Sequence, residues 1–239
     1  MRGCLFTLLL AAALIGLFLV VGLPALAEGI LTAGVTAAGL QSDDTTVTVS
    51  SDPPTDLMGL HADHVQLTAS DARFRSVRIG SLDISCVDME LGDRSCAAID
   101  GRLHQVTATD AAGQPLLIDL IRLGGGGNHI TATATIAGGE VEGLISDAIS
   151  QALGGRPTSV ALAAPDRVTV AFGPGSQVTG RFVISPGGDL AIQVTSGKLK
   201  GHQVTALAAA ALPVRLTNVS VADSGDLVLG GELSIGLFG

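Results

Sequence analysis

In residues 139–153 the apolar side chains recur at helical spacing, on one stripe. Glycine pairs flank this stretch, and the second pair, 154–155, suits a left-handed helix end. On both sides apolar residues alternate with polar ones, as they do in β-strands. A single helix between two runs of strands predicts a sheet that packs on, or wraps around, that helix. The helical stripe consists of Val141, Leu144, Ile145, Ala148, Ile149, Ala152 and Leu153.

The period-two pattern predicts short strands on both sides of the helix. The predicted strands are 45–50, 63–69, 75–82 with a continuation to 91, 97–109, 115–123, 130–136, 159–163, 167–172, 178–184, 190–195, 214–221 and 227–237. Near Cys86 the apolar residues change parity, which indicates either a bulge or the end of a strand. The glycines 124–127 are interpreted as a linker. Residues 28–41 and 55–60 are predicted helical, and the Ala-rich stretch 202–212 suits a short helix or a strand.

The composition limits what the core is made of and which partners the chain binds. There is no Trp or Tyr and there are only six Phe, so the core must consist of Val, Leu, Ile and Ala. The chain has 22 acidic and 13 basic residues, a formal net charge of −9. This charge argues against nucleic acid as a partner and against diffuse attraction to an anionic membrane.

The first residues have the features of a targeting segment. Arg2 is the only charged residue before Glu28, and an apolar run between them ends in the small-residue site Ala25-Leu26-Ala27. Two interpretations fit: a secretory signal cleaved after Ala27, or a retained membrane anchor. Both place the rest of the chain outside the cytoplasm. The predicted organisation is therefore a signal or anchor at 1–27 and a single domain at 28–239.

Two cysteines remain beyond that segment, Cys86 and Cys96. In an oxidising compartment a disulfide between them is expected, and two buried free thiols are the alternative. The chain has no C-x-x-C motif, which argues against a redox role.

Three stretches resemble a known family. Residues 47–69 read VTVSSDPPTDLMGLHADHVQLTA, residues 77–91 read VRIGSLDISCVDMEL, and residues 130–149 read ITATATIAGGEVEGLISDAI. Together they are similar to the LmeA-like phospholipid-binding family of bacterial cell envelopes, and the resemblance covers most of residues 45–235. The chain departs from the family's pattern in its short central helix, which Gly143 interrupts, and in its lack of aromatic residues to line a pocket.

The resemblance implies an α+β fold similar to tubular lipid-binding modules. In such a fold a strongly twisted, curled antiparallel sheet wraps around a central amphipathic helix, behind an N-terminal export or anchor helix. It also implies that phospholipid or another acyl lipid is bound along the apolar interior, in envelope lipid or lipoglycan maintenance.

Three sets of residues are candidate lipid contacts, each with a simpler alternative. The helical residues Leu144, Ile145, Ile149 and Leu153 line either a lipid tunnel or an ordinary core. The cations at the sequence R-F-R-S-V-R, chiefly Arg73 and Arg75, suit a lipid phosphate or a solvated strand face. The same two interpretations apply to Lys198 and Lys200.

The sequence contains no recognisable catalytic motif, so an enzyme is not expected. His61 and His64 with nearby Asp residues have ligand chemistry but no standard zinc spacing, and they are interpreted as part of a surface loop without metal. No cofactor is expected, and the oligomeric state is open. The function predicted is lipid binding outside the cytoplasm, with membrane contact through the N-terminal segment; the alternative is a structural β-rich envelope domain with a filled core and no ligand.

Overall fold

The computed structural model describes residues 23–37, 39–74, 77–93, 95–109, 114–127, 129–197, 199–209 and 215–233. In this part of the chain two antiparallel sheets dominate, and helices are few and short. The elements, in chain order, are α1 (Leu23–Ala37), β1 (Leu40–Gln41), β2 (Asp44–Ser50), a 3-10 helix (Pro54–Gly59), β3 (His61–Phe74), β4 (Val77–Glu90), β5 (Ser95–Thr109), β6 (Pro115–Gly127), β7 (His129–Ile136), α2 (Gly138–Leu153), β8 (Ser159–Ala163), β9 (Arg167–Gly173), β10 (Ser176–Ile184), β11 (Leu190–Val194), β12 (Gln203–Leu207), β13 (Arg215–Val221) and β14 (Leu227–Leu233).

The larger sheet has the strand order β1-β3-β4-β5-β6-β7-β14-β13, and β2 also pairs with β3. Most neighbours follow one another in sequence, as in a meander, and the C-terminal hairpin of β13 and β14 is added beside β7. The smaller sheet, β12-β11-β10-β9-β8, is formed by the chain between α2 and that hairpin. The two edges of the large sheet thus come from strands near the two ends of the described chain, and the small sheet is an insertion.

The predicted fold class is wrong. The structure is 61% strand and 17% helix, and it is not a sheet wrapped around a central amphipathic helix. Helix α2 has 16 residues and is about 24 Å long. The 14 residues of β3 or β4 extend to about 46 Å, so α2 cannot serve as the axis of that sheet. It packs instead on β8, β12 and β6.

The two sheets and α2 share one hydrophobic core, called the main core, in which branched aliphatic residues are completely buried. Each of the following is 0–1% exposed: Ile118, Ile136, Val141, Ile145, Leu190, Leu207 and Leu227. The side of the large sheet that contributes to this core is called its inner face, and the opposite side its outer face. As the composition predicts, aliphatic residues dominate the core, with Phe182 as its fully buried aromatic side chain.

A second core lies at the other end of the long strands. It consists of Val47, Val49, Leu57, Ala62, Val65, Cys86 and Cys96, with Ala27 and Leu31 of α1 packed against it. The predicted disulfide is confirmed: Cys86 and Cys96 are bonded, with their Cα atoms 5.7 Å apart. It joins β4 to β5 near the turn between them.

Helix α1 covers the free edge of β2. The Val49 N–H donates a hydrogen bond to the Glu28 carboxylate Oε1 at 3.2 Å, which satisfies an edge group that would otherwise be open to pairing. The helix runs without interruption through the predicted boundary between residues 27 and 28. Residues 1–22 of the targeting segment lie outside the described part of the chain. Among the residues that are described, no helix is both long and apolar enough to cross a membrane.

The long strands keep their apolar residues on the inner face by resetting the side-chain alternation. On β3 the buried residues Ala69 and Ala72 are three apart, and Asp71 between them has φ +48°. On β5 the same shift occurs at Gln105, with φ +52°. Ser70, beside the shift on β3, pairs with Ser81 of β4, and Ser81 pairs with His104, beside the shift on β5. The two shifts therefore lie at one level and form a single crease across these strands. Bulged positions of this kind bend strands.

A second crease crosses β4 near the disulfide. Asp88 has φ +50°, and Cys86 and Met89 both face inward while Val87 is exposed. The parity change near Cys86 therefore marks a local distortion, because β4 continues through it to Glu90.

The interpretation of residues 124–127 as a linker is wrong. They form the end of β6 and pair with both β5 and β7. A side chain at Gly126 would collide with the Ala97 carbonyl oxygen, and one at Gly125 with that of His129. The glycines therefore allow close approach of three backbones. In the Ala-rich stretch residues 203–207 form strand β12, and residues 210–212 lie outside the described chain.

The main core predicts a strong contrast between two isoleucines. Ile145→Ala removes a completely buried side chain and should lower the free energy of unfolding by about 2–5 kcal/mol. Ile30→Ala, at a position that is 72% exposed, should change it by no more than about 0.5 kcal/mol. Urea unfolding followed by circular dichroism measures both, and equal effects would contradict this assignment of the core.

The disulfide predicts a second stability effect. It closes a loop with a sequence separation of 10, so replacing both cysteines by Ala should cost about 2–3 kcal/mol through unfolded-state entropy. Reduction of the unmodified protein should lower the free energy of unfolding by a similar amount, and with it the melting temperature. Reduction that leaves the melting temperature unchanged would show that the cross-link contributes nothing.

Candidate functional site

Between the two cores, the inner face of the large sheet carries a group of apolar side chains that are only half-buried. This group, called the apolar strip, consists of Leu67, Ile84, Leu103, Ile121 and Leu123. It crosses β3, β4, β5 and β6, and lies between the two creases.

Strand register places the strip residues next to one another. Leu67 is directly opposite Ile84, and Leu103 is directly opposite Ile121. Gly101 lies between Ile84 and Leu123, and a Cβ added there would lie 3.2–3.3 Å from both side chains. The two side chains therefore meet above the glycine and form a continuous apolar surface.

The strip joins the two cores. Leu67 packs against both of them, while Ile84, Leu103 and Ile121 pack against the main core. The sheet thus presents one apolar face along its length, fully covered at two places and partly covered between them. Charged residues on the same strands, such as Asp83 and Arg102, point to the outer face and are exposed.

The predicted helical contacts lie in the main core. Leu144, Ile145 and Ile149 are 4%, 0% and 5% exposed and pack among residues of both sheets. Leu144 also borders an open cleft of about 290 Å³ between α2 and the start of β6. The Glu140 and Asp147 side chains line that cleft, which makes it acidic. Leu153 ends α2, and its side chain lies outside the description.

The predicted cationic contacts are separated by the fold. Arg73 is exposed on the outer face of β3, directly opposite Arg78, and therefore on the other side of the sheet from the strip. Lys200 is exposed in the turn between β11 and β12 of the small sheet. Arg75 and Lys198 lie outside the described residues.

The histidine region is a strand, so its interpretation as a surface loop is wrong. His61 and His64 both belong to β3. The His61 Nδ1 atom lies 3.0 Å from Glu90 Oε1, and its Nε2 atom lies 3.5 Å from Asp63 Oδ1. The hydrogen bond with Glu90 is the main cause that raises the pKa of His61, and the charges of Glu90, Asp63 and Asp88 add to it.

Three of these groups have the chemistry of metal ligands. Ligand atoms of His61, Asp63 and Asp88 lie within 4.8 Å of one another. Exposed acidic groups are often arranged in this way without an ion, and here His61 already contacts Asp63 and Glu90. The observed contacts therefore describe a cross-strand ion-pair cluster.

Reasoning from the sequence did not identify the apolar strip. Its signal is the three-residue spacing of apolar positions on neighbouring strands, and in the sequence this spacing is evident only near Cys86. The strip residues otherwise resemble the rest of the alternating pattern.

Comparison with family models, with curated proteins and with solved structures finds no match to this chain. The similarity to the LmeA-like family therefore stays a prediction from the sequence.

The ion-pair cluster predicts a specific titration behaviour. Because Glu90 stabilises the protonated imidazole, the pKa of His61 lies above its ordinary value of 6.5, and Glu90→Gln should lower it. The stabilisation from this pair is fully present below pH 6.5 and is lost as the pH rises through the raised pKa. An NMR titration of the His61 ring protons measures the pKa, with Glu140→Gln as the control that leaves it unchanged. An unchanged His61 pKa in Glu90→Gln would contradict the assigned cause.

Proposed function

We propose that this protein binds lipid outside the cytoplasm and holds an acyl chain on the apolar strip of the large sheet. The observation that carries the proposal is the half-buried state of five branched side chains in register on four strands. Elsewhere on this face most of the apolar side chains are buried in the main core or the second core. An acyl chain bound to the strip would bury the part of its apolar surface that is still exposed.

The dimensions and energetics are suitable for a lipid tail. Four neighbouring strands span about 14 Å, from three gaps of roughly 4.8 Å. Each methylene that leaves water contributes about 0.8 kcal/mol, so ten would contribute on the order of 8 kcal/mol before the costs of association. The strip itself has no charged side chain, so recognition there is of the tail and is indifferent to the headgroup.

The proposal includes a location outside the cytoplasm. The apolar start of the chain and the Cys86–Cys96 disulfide both suit a protein that is exported or held at a membrane by residues 1–27. Helix α1 includes the last five residues of this segment, 23–27, and packs on the second core. In this arrangement the strip would operate close to the membrane, as a binding protein without catalysis.

One observation favours the alternative of a structural domain without a ligand. The main core is densely filled, since Ile136, Leu190 and Leu227 are each 0% exposed. A filled core provides no interior tunnel. The distinction between the two functions therefore depends on the strip alone, and the following experiment is aimed at it.

The lipid content of two matched variants tests the proposal. Leu103→Gln with Ile121→Gln places two polar groups on the strip, while Val87→Gln with Leu117→Gln changes exposed apolar residues of the same sheet. The full chain is purified in a lipid-free detergent, and bound phospholipid is extracted and quantified by mass spectrometry. The unmodified chain and the control should retain about one lipid per chain, and the strip variant at least threefold less.

Melting temperatures establish that both variants are folded. If the strip variant does not fold, Leu123→Gln alone provides a milder change at the end of the strip. Equal lipid retention by the strip variant and the control would contradict the proposal and leave the structural domain as the better account.

A further inference from the structure

The outer surface of the small sheet contains two arginines in direct opposition. Arg167 on β9 pairs with Arg181 on β10, and both side chains are exposed. Like charges directly opposite each other on neighbouring strands are unfavourable. In the described ranges the ion pairs within 4 Å are those of His61, so neither guanidinium has a carboxylate partner there.

One of the two guanidiniums is held in a fixed orientation. The Arg181 Nε and Nη2 atoms donate hydrogen bonds to the Gln193 side-chain oxygen at 3.1 Å and 3.0 Å. This leaves further N–H groups of the guanidinium available for a ligand. A planar group held in this way loses little conformational freedom when it binds an oxyanion.

The arginine pair borders an open cleft with hydroxyl groups. The cleft has a volume of about 390 Å³ and is lined by Arg167, Arg181, Thr179 and Thr195 as well as Asp166. The two threonine Oγ1 atoms are 3.3 Å apart. Hydroxyl groups rotate, so the Thr179 O–H group can turn from its neighbour toward a ligand oxygen.

We infer that this cleft, called the arginine cleft, is a binding site for a phosphate group. Guanidinium donors with a hydroxyl group match the three or four acceptor oxygens of such a ligand, and the ligand would relieve the repulsion between the arginines. The phosphate belongs either to a free small molecule or to a lipid headgroup. The site lies on the small sheet, away from the apolar strip, and does not depend on the proposed function.

Substitution of Asp166 should affect phosphate binding in the opposite direction to substitution of the arginines. Asp166 lines the arginine cleft, yet its carboxylate is more than 4 Å from the guanidinium nitrogens of Arg167 and Arg181. It therefore repels a phosphate without neutralising the arginines. Asp166→Asn should tighten phosphate binding, whereas removal of the arginines should weaken it.

A titration with two ligands tests the inference. The full chain in detergent is titrated with inorganic phosphate and with dihexanoyl phosphatidylglycerol, and binding is followed by NMR of the arginine Nε–H signals and by calorimetry. Arg167→Gln with Arg181→Gln should weaken binding at least tenfold, the loss expected when charge-assisted hydrogen bonds are removed. Arg102→Gln with Arg122→Gln is the matched control, because it removes another directly opposed and exposed pair.

The outcomes separate the two phosphate sources and the two sites. Saturable binding of inorganic phosphate that only the Arg167 and Arg181 variant loses supports the site, and equal or tighter binding of the lipid identifies a headgroup as the source. An absence of saturable binding by either ligand, or an equal loss in the Arg102 and Arg122 control, would overturn the inference. Lipid retention on the apolar strip is a separate measurement, and its result does not alter this one.

Discussion

The structure depends on the register between the long strands β3, β4, β5 and β6. A strand of about 14 residues must bend to stay on a compact core, yet its apolar side chains must remain on one face. Asp71, Gln105 and Asp88 resolve this conflict by adopting left-handed backbone conformations inside strands. Because the shifts at Asp71 and Gln105 lie at one level of the sheet, β3, β4 and β5 can bend together while their hydrogen bonds continue. The main core, the second core and the apolar strip are consequences of this arrangement.

The local structure was largely predictable from the sequence. Alternation located β2 and most strands, and the helical spacing at 139–153 located α2 to within one residue at its start. The compartment argument predicted the Cys86–Cys96 disulfide. These features depend on neighbours in sequence or on a single pair of residues, so local patterns are sufficient to specify them.

The arrangement of the elements was not predictable in the same way. An amphipathic stripe shows that α2 is buried on one side, but it does not show that the covering elements are the edge strands of a second sheet. Likewise, glycines in a row suggest freedom, whereas Gly125 and Gly126 are needed because neighbouring backbones come too close for a side chain. The apolar strip can be identified only when the strand register is known, because Leu103 and Ile121 look like ordinary strand residues in the sequence.

The two proposed sites lie on different sheets and would bind different chemical groups. The apolar strip is uncharged and suits a tail, while the arginine cleft suits a phosphate and carries local positive charge on a chain of net charge −9. Arg73 and Lys200, the described members of the cationic sets predicted from sequence, belong to neither site. Each site has its own geometric basis, so each can hold or fail without the other.

In the proposed function, lipid tails contact the apolar strip and not the filled core. Methyl NMR with a phospholipid that carries a spin label on its acyl chain tests this most directly. We expect saturable broadening that is strongest at the Leu67, Leu103 and Ile121 methyl signals and weaker at those of Ile145 and Leu190. Broadening that is absent, or that is strongest at Ile145 and Leu190, would contradict the proposed function.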